Sequence, residues 1–280
     1  MTLAIGAKYP WGELNKLVGL GSEPPEAIIL ASDSRWTYRY GPVPYRDIGT
    51  KLFQLGIDVG AVYAGYSQVG EECLCELGRQ LSRQNMPDSK HSRELAQKVF
   101  RRTYKHHLAS RGLSPDEWPL YILIGTCNAT GRAELYHFRY STNFEAEPLT
   151  GLKAIGWPDA KDKFNERFEE ELRKQVEKEL SLRSNHPKIP LSDLDPMPIK
   201  PMHVATFISA VLTNIIESKA HKTVGGKIQY AVISTEGFSQ PRLLYTSDPT
   251  NEGPGWTEAT ANPNELETVT GNFGFHSLSD

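Results

Sequence analysis

Hydrophobic periodicity along this chain switches between two and 3.6 residues in an ordered way, and that order limits the folds open to it. Short apolar or alternating runs predict strands, at residues 2–7, 27–31, 51–55, 59–64, 120–124, 133–140, 227–234 and 242–245. Longer amphipathic runs predict helices, over residues 67–84, 89–109, 158–182 and 202–220. The predicted order is a group of strands, two helices, two more strands, two more helices and a final pair of strands. This order indicates two packed antiparallel sheets with helices outside each. We therefore expect an α+β fold arranged as a four-layer αββα sandwich.

The chain is long enough for one sizeable core, and we expect a single folded domain over residues 1–246. Within it, residues 169–201 combine the end of a strongly charged helix with an insert rich in proline. Residues 247–280 contain much Gly, Asn, Pro and Thr and few apolar residues. We expect that last segment to be a mobile tail.

Charge and cysteine content exclude several classes of function. The formal net charge of −3 offers no basic excess for nucleic acid, and no apolar run approaches the roughly 18 residues of a membrane span. We expect neither kind of partner, and a cytoplasmic location. The three cysteines do not make a disulfide framework, and Cys73 and Cys75 lack the second ligand pair of a zinc site, so no metal is expected.

Thr2 is the residue that points most directly to chemistry. If Met1 is removed, the Thr2 hydroxyl and a free α-amine lie on one residue, and the amine can serve as the base that activates the hydroxyl. Lys51 could lower the pKa of that amine from its usual value of about 7.7–8.0, and Asp33 could keep a buried Lys51 charged. The amide of Gly65 could stabilise the oxyanion, a contact worth roughly 3–4 kcal/mol.

Each of these residues also has an ordinary structural interpretation. Asp-Ser at a strand end is a common turn former, a lysine that opens a strand is usually solvated, and Ala-Gly usually makes a tight turn. Their order along the chain, and the strands on which they fall, favour the catalytic interpretation.

Four segments occur in the order found in a known family: Met-Thr-Leu-Ala-Ile-Gly at 1–6, Ala-Ile-Ile-Leu-Ala-Ser-Asp-Ser-Arg-Trp-Thr at 27–37, Thr-Lys-Leu-Phe at 50–53 and Val-Tyr-Ala-Gly at 62–65. On these motifs the chain resembles the proteasome β-type subunits and the bacterial proteasome-like proteases, within the N-terminal-nucleophile (Ntn) hydrolases. The interval from Lys51 to Gly65 also matches. Weaker resemblance continues at 154–156 and 224–232, so it spans most of the first 246 residues.

The resemblance implies that Thr2 is the nucleophile, that Asp33 and Lys51 support it, and that Gly65 donates to the oxyanion. It also implies a set of residues that bind an extended substrate or line the pocket for the substrate residue before the scissile bond: Trp36, Thr37, Phe53 and Tyr63. An interpretation of the aromatic members as plain core residues is equally open. The family implies no metal or organic cofactor.

The resemblance also bears on partners. Proteasome-like subunits assemble into rings or related multimers that enclose their active sites, so a closed or helical homo-oligomer acting on peptides or unfolded proteins is implied. An ATP-dependent unfoldase is a partner that the resemblance leaves open.

The chain departs from the family pattern beside the predicted nucleophile. Where the family usually has a serine after Gly156, this sequence has Trp157. Where it commonly has an aspartate and a serine before the Gly-Gly at 225–226, the matching residues are His221 and Val224. We therefore expect an auxiliary hydrogen-bond network to be missing.

The leading hypothesis is a threonine-type peptidase that uses Thr2 as its nucleophile. Two alternatives stay open: an Ntn amidohydrolase that cleaves a small amide, and a non-catalytic proteasome-like scaffold subunit.

Overall fold

The computed structural model describes residues 3–11, 26–37, 45–46, 49–83, 89–184, 200–218, 224–244 and 258–259. Several predictions concern residues outside these ranges: Thr2, His221, the proline-rich segment at 185–199 and most of the tail at 247–280. They stay predictions.

The first sheet is antiparallel and is centred on a strand buried along its whole length. Its described members are β1 (Leu3–Tyr9), β2 (Ala27–Asp33), β10 (Leu152–Gly156), β11 (Ile228–Ser234), β12 (Gly237–Phe238), β13 (Arg242–Leu244) and β14 (Glu258–Ala259). The order is β10-β1-β2-β11-β13-β14, with β12 paired to β11. All seven residues of β2 are buried, which explains the continuous apolar run of its sequence.

The second sheet is also antiparallel and follows sequence order. Its members are β5 (Leu52–Gln54), β6 (Val59–Gly65), β7 (Leu120–Cys127), β8 (Ala133–Arg139) and β9 (Glu147–Leu149). A separate two-stranded pair joins β3 (Trp36–Thr37) to β4 (Tyr45–Arg46). Short 3₁₀ turns occur at Pro115–Glu117 and Tyr140–Thr142.

Four helices accompany the sheets within the described residues: α1 (Ser67–Leu81), α2 (Ser89–Arg111), α3 (Pro158–Ser184) and α4 (Pro201–Glu217). In α1, the residues Val69, Cys73, Leu77 and Leu81 form a buried apolar stripe, as the amphipathic pattern of 67–84 predicts. Proline occupies the first turn of α4, where its missing N–H has no partner to lose.

Three clusters of buried side chains connect these elements. One packs α3 and α4 against β1, β2 and β11, and a second packs α1 and α2 against β6, β7 and β8. The third contains Leu30 and Ile155 from the first sheet and Val62 and Leu123 from the second, so the two sheets are in direct contact. The mixed α and β architecture with two antiparallel sheets agrees with the predicted α+β class.

The periodicity did not predict the short strands β3, β4, β9, β10 and β12. Two of them lie at sheet edges, β9 beside β8 and β10 beside β1. Pro148 in β9 is tolerated there because an edge strand can leave one row of its N–H positions unpaired. In the tail, Glu258–Ala259 pair with β13, while the rest lies outside the described residues.

Among the described residues, no helix has the length and apolar character needed to cross a membrane. All three cysteines are free thiols: Cys73 and Cys127 are buried and Cys75 is exposed. Burial raises the pKa of the Cys73 thiol far above its usual range, so this thiol is unreactive.

Candidate active site

The carboxylate of Asp33 ends β2 and is 0% exposed. Its Oδ1 accepts hydrogen bonds from the Leu3 amide and from Lys51 Nζ, each at 3.1 Å. Its Oδ2 accepts from the Gly225 amide at 3.0 Å. One buried side chain thus ties together the start of β1, the approach to β5 and the turn before β11. Leu3 directly follows Thr2 in sequence, so Asp33 holds the residue next to the predicted nucleophile.

Lys51 is 1% exposed and lies just before β5, in the second sheet. Besides Asp33, its ammonium donates to the backbone carbonyl of Arg35. The two side chains that the sequence predicted to pair are therefore in contact, across the two sheets. An ammonium buried this deeply needs such partners, since an isolated charge in the interior loses its proton instead.

Arg35 packs beside the turn before β11. A Cβ at Gly225 would lie 2.2 Å from the Arg35 guanidinium carbon, so a larger residue there would require the Arg35 side chain to move. The Gly225 amide donates to Asp33, and Gly226 has a φ of +77°, a conformation that favours glycine.

Gly65 ends β6 at the same end of the second sheet. Its φ is +115°, and an added Cβ would lie 2.0 Å from the carbonyl oxygen of Pro119. The next amide, of Tyr66, donates to that same carbonyl at 3.0 Å. Glycine is required here both by conformation and by space. The chain turn on which the oxyanion prediction depends is thus closely constrained.

Phe53 and Tyr63 are both buried, with ring centroids 6.0 Å apart. They belong to the cluster beneath α1, and Gly70 of that helix approaches so closely that a Cβ there would lie 2.5 Å from the Tyr63 ring. Both rings therefore pack within this cluster, and their place beside a substrate pocket stays a prediction. Trp36 and Thr37 lie in β3, and their side chains are outside the described part of the structure.

Glu71 is a residue of the site region that the sequence analysis missed. It lies in α1, and its Oε1 is 3.5 Å from the Tyr63 hydroxyl, which donates to it. Burial raises the pKa of the Glu71 carboxyl to about 7, and Glu72 adds to the rise, while Tyr63 and Lys51 act against it. Its helical position gave no signal, because its burial and its contact with Tyr63 arise only from tertiary packing.

Trp157 and Val224 replace the polar residues expected beside the nucleophile. Trp157 is partly buried against the cluster beneath α3 and α4, and Val224 is buried within it. Gly156, just before Trp157, pairs with Leu3 at the start of β1. These two positions therefore contribute packing.

Metal ligands are not gathered in this region: the described ranges contain no cluster of three His, Cys, Asp or Glu residues that could hold an ion. No family model matches this chain, and no curated protein matches it. Function therefore has to be argued from the site geometry.

Proposed function

We propose that this chain is a threonine-type endopeptidase of the proteasome-like Ntn-hydrolase class. On this proposal the two sheets and four helices form a four-layer αββα sandwich. The enzyme works in the cytoplasm as a closed or helical homo-oligomer on peptides or unfolded proteins, with no metal or organic cofactor. Whether an ATP-driven unfoldase supplies the substrate is left open.

The observation that supports the proposal best is the buried contact between Asp33 and Lys51, together with the bond from Asp33 to the Leu3 amide. Fully buried charged pairs are costly to form and are weak evidence for stability alone. Here the pair is located at the start of β1, where a free N-terminal amine and hydroxyl would need a cation nearby.

The proposed reaction uses one residue as both nucleophile and base. The Thr2 α-amine takes the hydroxyl proton as Oγ attacks the scissile carbonyl carbon, and the Gly65 amide donates to the oxyanion. The C–N bond then breaks and the leaving amine receives the proton, which leaves an ester on Thr2. Water, deprotonated by the same amine, hydrolyses the ester and releases a carboxylate product. The Lys51 ammonium keeps the amine neutral in the resting enzyme by disfavouring its charged form.

Packing of Trp157 and Val224 supports the non-catalytic alternative, since both replace polar groups of the family site. A scaffold subunit would keep the fold without the reaction. The small-amide hydrolase would keep the reaction on an open, unassembled subunit. A Thr2 that reacts as a nucleophile would distinguish the proposed peptidase from a scaffold subunit. A closed oligomer would distinguish it from a small-amide hydrolase, which would act as an open, unassembled subunit.

The decisive experiment is intact mass of the purified protein before and after treatment with an epoxyketone or β-lactone that reacts with N-terminal threonine. We expect a mass without Met1 and a single covalent adduct. Thr2→Ala should give no adduct, while Thr2→Ser, which keeps the hydroxyl and amine, should still react.

A retained Met1 with no adduct would overturn the hydrolase proposal in favour of a scaffold, because an acylated α-amine has no basic lone pair. An adduct on a protein that elutes as a monomer, and that cleaves small amides but no peptide, would favour the amidohydrolase.

A further inference from the structure

Gln229 of β11 makes three hydrogen bonds to the backbone that leads into β5. Its Oε1 accepts from the Lys51 amide at 3.0 Å and from the Leu52 amide at 3.3 Å. Its Nε2 donates to the carbonyl of Gly49 at 3.2 Å. The side chain is 5% exposed, and its alternate neighbours Ala231 and Ile233 belong to the cluster between the sheets.

The hydrogen bonds from Gln229 satisfy backbone groups at the edge strand β5. Among the described residues, β5 is a three-residue edge strand of the second sheet, and its one strand partner there is β6. An edge strand leaves amides without a strand partner, and a buried amide left unpaired costs about 1–3 kcal/mol. The Gln229 carboxamide supplies the missing acceptor for two amides and a donor for one carbonyl.

Lys51 is consequently held at both ends by the first sheet, although it precedes a strand of the second. Gln229 of β11 holds its backbone, and Asp33 of β2 holds its ammonium. The ammonium position relative to the start of β1 therefore depends on the carboxamide as well as on the ion pair.

We infer that Gln229 is a positioning residue for Lys51, which it holds at the distance from the Thr2 amine that the reaction needs. The inference rests on the proposed function. Gln229 touches no reacting atom and acts through Lys51. Charged groups near Lys51 within the described residues include Asp33, which accepts from its ammonium, and Glu71, whose pKa its charge lowers. The backbone carbonyl of Arg35 also accepts from the ammonium. These contacts hold the ammonium, whereas Gln229 holds the backbone.

The test measures the rate at which an epoxyketone modifies Thr2 as a function of pH, by intact mass, in the wild type and in Gln229→Met. Methionine keeps the length and burial of glutamine but offers neither the carbonyl acceptor nor the amide donor. We expect the rate at neutral pH to fall by about tenfold to a hundredfold, as for other small displacements of catalytic groups. The rising limb of the plot of modification rate against pH should move to higher pH by about half a unit or more. The reason is that a displaced Lys51 ammonium lowers the pKa of the Thr2 α-amine less.

Ser32→Ala is the matched control. Ser32 pairs with Gln229 in the strand register, and its buried hydroxyl has no hydrogen-bond partner within the described residues. This variant should follow the wild-type profile. An unchanged rate and limb in folded Gln229→Met would overturn the inference, whereas a wild type that forms no adduct at any pH would overturn the proposed function.

Hydrogen exchange of the wild type keeps the inference testable if Gln229→Met fails to fold. The amides of Lys51 and Leu52 should be protected as strongly as those of β11, and the amides of Ile57 and Asp58 in the exposed turn that follows β5 should exchange rapidly. Rapid exchange at Lys51 and Leu52 would show that Gln229 does not hold this segment and would overturn the inference.

Discussion

Asp33 at the end of β2 and Glu71 in α1 are both acidic groups close enough to Lys51 to be affected by its charge, yet their surroundings differ. Asp33 is completely buried and has at least three donors, one of them a cation. Glu71 is half-buried, and its contact within the described residues is the long hydrogen bond from Tyr63; burial raises its pKa to about 7. The comparison shows how differently one fold surrounds two carboxylates near the same cation: donors reach both oxygens of Asp33, whereas Glu71 is desolvated with little hydrogen bonding in return.

The largest expected effect on stability comes from removing Lys51, the cation that contacts Asp33. Lys51→Met removes the cation that contacts the buried Asp33 carboxylate, and breaking a buried pair from one side costs about 3–5 kcal/mol. We expect the free energy of unfolding, measured in urea, to fall by that amount, and the Thr2 adduct to be lost.

Lys174→Met provides the matched control, because Lys174 pairs with Glu170 at 2.8 Å and both side chains of that pair are more than half exposed on α3. Exposed pairs contribute little to stability, so this variant should remain close to the wild type. Equal losses in the two variants would show that the Asp33 site has no special requirement for its cation.

His137 shows the effect of burial on the pKa of a base, which is opposite in direction to its effect on a carboxylate. His137 is buried and its Nδ1 lies 3.2 Å from a Glu147 carboxylate oxygen, but burial still lowers its pKa to about 4. Its unfolded value is about 6.5, so the unfolded chain binds the proton more readily between these limits. The stability that the neutral ring contributes is complete above pH 6.5 and is lost as the pH falls through 4.

His137→Gln should therefore flatten the decline in unfolding free energy between pH 6.5 and 4 by about 2 kcal/mol, measured by urea titrations at several pH values. His91→Gln, a change at an exposed histidine of α2, should keep the wild-type slope. Parallel curves for the wild type and His137→Gln would contradict the assigned burial cost.

The smallest expected effect on stability comes from Glu71, the carboxylate with the weaker hydrogen bonding. Because the pKa of Glu71 is raised from 4.5 to about 7, the folded protein binds this proton more tightly, and stability falls as the pH rises through that window. Glu71→Gln resembles the protonated acid. It should match the wild type at pH 4 and exceed it at pH 8 by about 1 kcal/mol, well below the full linkage value because the side chain is partly solvated.

Chemical denaturation at the two pH values measures this difference, with Glu94→Gln at an exposed site of α2 as the control. A constant offset between Glu71→Gln and the wild type at both pH values would mean that Glu71 does not titrate in this window.

The sequence predicted the longer elements well, because a strand or helix with one buried face carries its own periodic pattern. It missed β9 and β10, which are short strands at sheet edges. It predicted that Asp33 would partner Lys51, since a buried ammonium needs a carboxylate and both residues flank predicted strands. The same reasoning could not find Gln229 or Glu71, because nothing in their local pattern sets them apart.

The sequence by itself determined the order of the longer strands and helices, the apolar faces that bury them, and the requirement for a counter-charge at Lys51. Only the tertiary structure decided that Gln229, 178 residues away from Lys51, would satisfy the Lys51 amide, and that the Tyr63 hydroxyl would donate to Glu71. Periodicity is a property of neighbours along the chain and can be recognised in the sequence. Hydrogen-bond partners and desolvation depend on neighbours in space, and those exist only once the sheets have packed.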